Sequence, residues 1–143
     1  MRIAICDDVP ECVRNLERCL VPLLEPGDVC ESHVDGKTLI SAHRNQPYDL
    51  VFLDVEMPGL NGIELGIPLR GIYQHTRIVY VTRHRDFAVE AFALRAAHYL
   101  VKPIKVSDLV DIVAEARAFY RSRIRGYLQI GWMQSRTFVD LDD

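Results

Sequence analysis

Asp7, Asp8, Asp54, Thr82 and Lys102 are the residues of this chain whose types and spacing suit chemistry. Asp7 and Asp8 follow the run Arg2 to Cys6, and Asp54 closes the run Leu50 to Leu53. Thr82 ends the run from Arg77, and Lys102 follows Tyr99 to Val101. Each run reads as a short buried strand. The carboxyl ends of strands are where open α/β sheets gather ligand-binding groups. Three converging carboxylates repel, by about 4 kcal/mol for a pair roughly 4 Å apart at an effective dielectric of about 20. A divalent cation would remove that penalty, and all-oxygen ligation with retained water suits Mg²⁺. Asp8, Asp54 and the backbone carbonyl of Glu56 are the ligands expected, with Asp7 acting through a water. A carboxylate is also a nucleophile toward phosphorus. Lys102 would stabilise charge on phosphoryl oxygens and Thr82 would offer a hydrogen bond, and phosphoryl transfer depends on such positioning and electrostatics.

Taken singly, these residues have plainer readings. An Asp after a strand is usually a helix cap, a Thr there a turn hydroxyl, and a Lys a solvated charge. The set, with its members at the ends of separate strands, is what points to a site.

The elements that must position them alternate. Arg2 to Cys6 is a strand, and Pro10 opens a helix after Asp8, with Val13, Leu16, Leu20 and Leu23 on its apolar face. Pro22 is expected to end that helix early. Val29 to His33 is a weak second strand, Gly36 to His43 a short helix and Tyr48 to Leu53 the third strand. A third helix covers Ile63 to Ile72, loosened by Gly66 and Pro68. Arg77 to Val81, Asp86 to Ala93 and Tyr99 to Val101 are the fourth strand, fourth helix and fifth strand. Ser107 is expected to cap the last helix, with Leu109, Ile112, Ala116 and Phe119 facing inward. Five βα units imply a doubly wound parallel sheet covered by helices on both faces. After Gly126, alternating residues around Gln134 and Ser135 predict a β-hairpin, read as the opening of a further domain.

Composition sets the bounds. The 143 residues fit one domain with a short appendage, and 49% hydrophobic content supports a proper core. A net charge of −3 argues against direct nucleic-acid binding by this segment. With no bilayer-length apolar stretch and no signal-peptide pattern, a cytoplasmic location is expected and no membrane partner. Cys6, Cys12, Cys19 and Cys30 form no close pair, so they are expected to be reduced structural thiols.

The chain resembles the response-regulator receiver family. The resemblance rests on ICDD at Ile5 to Asp8, FLDVEMPGLNG at Phe52 to Gly62, VYVT at Val79 to Thr82 and YLVKP at Tyr99 to Pro103. It covers Met1 to about Arg121 and implies a flavodoxin-like receiver fold over residues 1–121. It also implies that Asp54 accepts a phosphoryl group from a sensor histidine kinase, with Asp7 and Asp8 as the acidic pair. Thr82 would be the switch hydroxyl, Tyr99 the switch aromatic and Lys102 the phosphoryl-binding lysine, with a cis peptide before Pro103. The role implied is a self-catalysed phosphorylation switch in two-component signalling, not a turnover enzyme.

VTRHRDFAVEAFALRAAHYLVKPI and YLQIGWMQSRTFVDLDD resemble receivers joined to LytTR-type DNA-binding domains. Residues 122–143 then read as a linker and the first strands of that domain. DNA contact would come only through it, and a homodimer would form through the face of helix four, strand five and helix five. Other readings are a stand-alone receiver that switches a protein partner, a degenerate receiver that does not use phosphate, and an Asp-nucleophile phosphatase. Three residues depart from the family pattern. Arg83 stands where a small residue is usual, Glu56 puts an acid two residues after Asp54, and Arg95 replaces a common glycine.

Overall fold

The computed structural model describes the backbone of residues 1–86 and 88–142, and the side chains of 1–59, 61–86 and 88–128. Its strands are β1 (Arg2–Cys6), β2 (Val29–His33), β3 (Leu50–Asp54), β4 (Glu56–Met57), β5 (Leu60–Asn61), β6 (Arg77–Thr82) and β7 (His98–Val101). Its helices are α1 (Pro10–Leu20), α2 (Gly36–Asn45), α3 (Gly62–Ile72), α4 (Ala88–Ala93) and α5 (Val106–Asp142). Five strands form one parallel sheet in the order β2-β1-β3-β6-β7, while β4 and β5 pair antiparallel as a separate ribbon. This is the flavodoxin-like doubly wound order, whose direction reverses between β1 and β3.

Side chains alternate across each strand, so the sheet feeds two cores. Ile3, Ile5, Leu50, Phe52, Val79 and Val81 pack with Val13, Leu16 and Leu20 of α1 and Leu109, Ile112 and Val113 of α5. Ala4, Cys6, Val51, Leu53, Ile78 and Tyr80 pack on the other face with Leu39, Ile63, Leu69 and Ala91. All four cysteines are free. Burial pushes the Cys6 thiol up to about 12 and the Cys30 thiol up to about 11, which keeps both protonated. Among the described residues, no helix is long and apolar enough to cross a membrane.

Several local expectations are corrected. The hairpin expected after Gly126 is replaced by helix, because α5 runs on to Asp142. A lone hairpin with no third strand to cover it is marginal, whereas extending an existing helix adds a backbone hydrogen bond for each residue fixed. Phe119 is 38% exposed and lies over the guanidinium groups of Arg77 and Arg123, and Val113 takes its place in the core. The start of α5 is held by Asp108 rather than Ser107, since the Asp108 carboxylate accepts the Lys105 N–H at 2.8 Å. The cap of α1 is Val9, with no side-chain hydrogen bond, so Asp8 is not used as a cap. Pro22 lies in the 3₁₀ turn Val21–Leu23 that ends α1.

Arg95 adopts φ 61 in the turn between α4 and β7. The N–H of Ala96 bonds to the Ala91 carbonyl and that of Arg95 to the Phe92 carbonyl, both at 3.0 Å. This is a Schellman cap, in which glycine is the residue without strain.

Candidate functional site

The parallel register brings the ends of β1, β3, β6 and β7 to one edge of the sheet, at the strand-order reversal. Asp7 and Asp54 are buried there and Asp8 is half-buried. One carboxylate oxygen from each lies within 4.8 Å of the others. The Asp7 carboxylate accepts the Val9 N–H at 2.9 Å and the Lys102 ammonium at 2.8 Å. Lys102 Nζ is 3.8 Å from Asp54 Oδ1, and the Glu56 N–H reaches the same oxygen at 3.4 Å.

These contacts set the charges. Burial, then the Asp7 carboxylate, pushes the Asp54 carboxyl up to about 6, against the opposing pull of Lys102. Burial works against the Lys102 charge, but the hydrogen bond to Asp7 and the charge of Asp54 outweigh it, and the ammonium is held more firmly protonated. The donor set, acidic, all-oxygen and electrostatically strained, suits a hard divalent cation.

The loop after β3 is shaped by its sequence. Glu56 pairs with Asn61 and Met57 with Leu60, and Gly59 turns the ribbon at φ 71. The Gly62 N–H donates to the Val55 carbonyl at 2.9 Å, and the Asn61 carboxamide caps α3 by accepting the Ile63 N–H. A Cβ on Gly62 would lie 2.1 Å from the Asp54 carbonyl oxygen, so only glycine allows this approach.

Thr82 ends β6 fully buried, its hydroxyl oxygen accepting the His84 N–H at 3.3 Å. Tyr99 is half-buried in β7 and its phenol donates to the His84 carbonyl. The Lys102–Pro103 peptide is cis. Beside the acids is a cavity of about 490 Å³, whose wall includes Cys12, Arg83 and Ile104. Asp7, Asp8, Asp54, Glu56, Thr82 and Lys102 therefore gather at this edge of the sheet, while Tyr99 lies further back in β7, paired with Tyr80. Sequence patterning gave His84 no role of its own, although it stands two residues after Thr82; its partners lie on three separate strands, Glu56 in β4, Thr82 in β6 and Tyr99 in β7.

Fold and site together define a doubly wound α/β domain carrying an acidic triad beside a half-buried ammonium. The chain belongs to the response regulator receiver family, a family of signalling domains, whose "Response regulator receiver domain" model matches residues 3–114. It is 34% identical over 117 residues to the Positive alginate biosynthesis regulatory protein of Pseudomonas aeruginosa, covering 81% of this chain and 47% of that protein. To the Transcriptional regulatory protein LytR of Staphylococcus aureus it is 33% identical over 118 residues, covering 82% and 48%. These relatives match the LytTR-linked subfamily resemblance. The chain thus spans about half the length of the curated relatives it matches. Among solved structures, it resembles the response regulatory domain of mrkE from Klebsiella pneumoniae with a TM-score of 0.73 and 25% identity, over 85% of this chain and 99% of that one. It also resembles a BeF3-activated DrrB receiver domain, with a TM-score of 0.71, 19% identity and coverage of 82% and 97%.

Proposed function

We propose that the chain is a phosphorylation switch in which Asp54 accepts a phosphoryl group from a sensor histidine kinase. The observation that carries this reading is the gathering of Asp7, Asp8 and Asp54 within 4.8 Å, with Lys102 against two of them. An Asp54 carboxylate oxygen attacks phosphorus, the bond from phosphorus to the donor's leaving group breaks, and that group departs with the electron pair. Mg²⁺ held by Asp8, Asp54 and the Glu56 carbonyl, with Asp7 through a water, would supply charge neutralisation for the phosphoryl oxygens. Lys102 stabilises the same charge, and Thr82 donates its hydroxyl proton once the group is in place. The chain is not a turnover enzyme in this reading, since self-phosphorylation and slow self-dephosphorylation are its only chemistry.

Output follows by population shift. Thr82 and Tyr99 move together, the face of α4, β7 and α5 changes, and that face forms a homodimer. Val89 and Phe92 of α4, both largely exposed, supply apolar surface there. By likeness to the two named regulators, we assign DNA contact and transcriptional control to an appended LytTR-type domain, with residues 122–143 as the link to it. Free thiols and a kinase donor both suit a cytoplasmic location.

The test is intact mass after incubation with acetyl phosphate, with and without Mg²⁺, beside Asp54→Asn. A Mg²⁺-dependent gain of one phosphoryl group, absent from the variant, supports the switch. A second reading, a receiver that no longer uses phosphate, is favoured by Arg83 on the wall of the cavity. No gain in the wild type, together with no gain in Arg83→Ala, would establish it.

A further inference from the structure

We propose that His84 is a positioning residue that ties the two loops flanking Asp54 into one bonded chain; this rests on the reading of Asp54 as phospho-acceptor. Three groups of this one residue reach three different partners. Its N–H donates to the Thr82 hydroxyl oxygen at 3.3 Å. Its carbonyl accepts the Tyr99 phenol. Its ring Nε2 lies 3.1 Å from Glu56 Oε1. Glu56 is in turn joined to the site, because its own N–H bonds to Asp54 Oδ1 at 3.4 Å. The chain of contacts therefore runs from Asp54 through Glu56 and His84 to both Thr82 and Tyr99.

The Thr82 contact has a direction. A hydroxyl oxygen that accepts an N–H keeps its own proton for another acceptor. His84 thus aims the Thr82 proton away from its own backbone and leaves it for a phosphoryl oxygen. The side-chain contact supplies what the backbone contacts lack, a brace from the loop after β6 to the loop after β3. Both side chains are half exposed, so the contact adds little to stability. Its value is positional, and reactions governed by positioning are sensitive to displacements near 1 Å.

Four proteins test this: wild type, His84→Ala, Glu56→Ala and the double variant, with His84→Gln as the conservative replacement. The rate of Asp54 phosphorylation is followed against acetyl phosphate concentration at fixed Mg²⁺. Glu56→Ala keeps the backbone carbonyl that the functional reading gives to the cation. Each single variant is expected to lower the maximal rate about 3- to 10-fold with little change in the half-saturating concentration. The double variant should be no slower than either single one, and His84→Gln, which retains a side-chain N–H donor, should recover most of the rate. Unchanged melting temperatures would show that the fold is intact. Additive losses, a change confined to the half-saturating concentration, or no loss in His84→Ala would each overturn the proposal while leaving the switch reading in place. A wild type that takes up no phosphoryl group would instead overturn the switch reading, and this proposal with it.

Discussion

Lys102 Nζ stands 2.8 Å from Asp7 Oδ2 and a full ångström further from Asp54, so its charge serves Asp7 first. Asp54 is left with a carboxyl raised to about 6, by burial and then by Asp7. Its folded pKa lies above the ordinary 3.8, so the stability it contributes is complete below about pH 4 and is lost as pH rises through 6. At neutral pH the ionised group costs the fold on the order of 3 kcal/mol. Asp54→Asn is therefore expected to melt several degrees higher than the wild type at pH 7 without Mg²⁺, and at nearly the same temperature at pH 4. Saturating Mg²⁺ should narrow the gap at pH 7, because a ligand that binds only the folded state stabilises it. Scanning calorimetry at the two pH values checks this, and an equal gap at both would refute it.

Gly62 is pressed against the backbone of Asp54. Gly62→Ala should lower stability by about 1–3 kcal/mol through overpacking. It should also cut Mg²⁺-dependent phosphorylation by at least about tenfold, since the loop that presents Asp54 and the Glu56 carbonyl must shift. Urea unfolding and phosphorylation rates separate the two effects.

Gly66 and Tyr80 form a second close pair. The Tyr80 phenol donates to the Ile63 carbonyl at 2.6 Å, and a Cβ on Gly66 would lie 2.5 Å from the Tyr80 hydroxyl oxygen. Tyr80→Phe is expected to cost about 1 kcal/mol and Gly66→Ala about 1–3 kcal/mol. The double variant should lose less than their sum, because removing the hydroxyl opens the space that the methyl needs. Additive losses in urea unfolding would show the clash to be relieved elsewhere.

The buried ion pair at Asp28 should shape the acid limb of stability. Burial opposes the Asp28 charge, but Arg117, the Glu25 N–H and the Met1 ammonium outweigh it and lower the pKa to about 2. A depressed folded pKa gives stability that is present above about pH 4 and lost as pH falls toward 2, roughly 2 kcal/mol in all. Asp28→Asn should forfeit about that much at pH 7, since Arg117 would lose its nearest carboxylate and keep only the more exposed Glu25 at 3.4 Å. Its stability should also be flatter than the wild type's between pH 4 and 2, as measured by unfolding across that range.

Arg95 bears the strain of a left-handed cap. Arg95→Gly should raise stability by about 1 kcal/mol, seen as a higher urea midpoint with an unchanged slope.

Much of this molecule was legible in the order of its residues. Apolar runs ending in Asp7, Asp54, Thr82 and Lys102 marked the strands, because strand burial follows hydrophobicity and a strand's end follows from its first polar residue. Their alternation with helical stretches implied the parallel sheet, since parallel strands need crossovers. Arg95 was visible as an oddity, and its positive φ is the physical form of that oddity. The tail shows the opposite case. Its alternating residues suggested strands, but period-two patterning forms a strand only where a partner strand pairs with it, and here the segment continues α5 instead. Phe119 fitted the inward spacing of its helix, yet Arg77 and Arg123 draw it to the surface. What only the tertiary structure decided is distance: that Lys102 prefers Asp7 to Asp54, and that His84 meets Glu56, Thr82 and Tyr99 at once. These residues are close through strand register and loop path, and contacts of that kind depend on the whole sheet rather than on any local run of sequence.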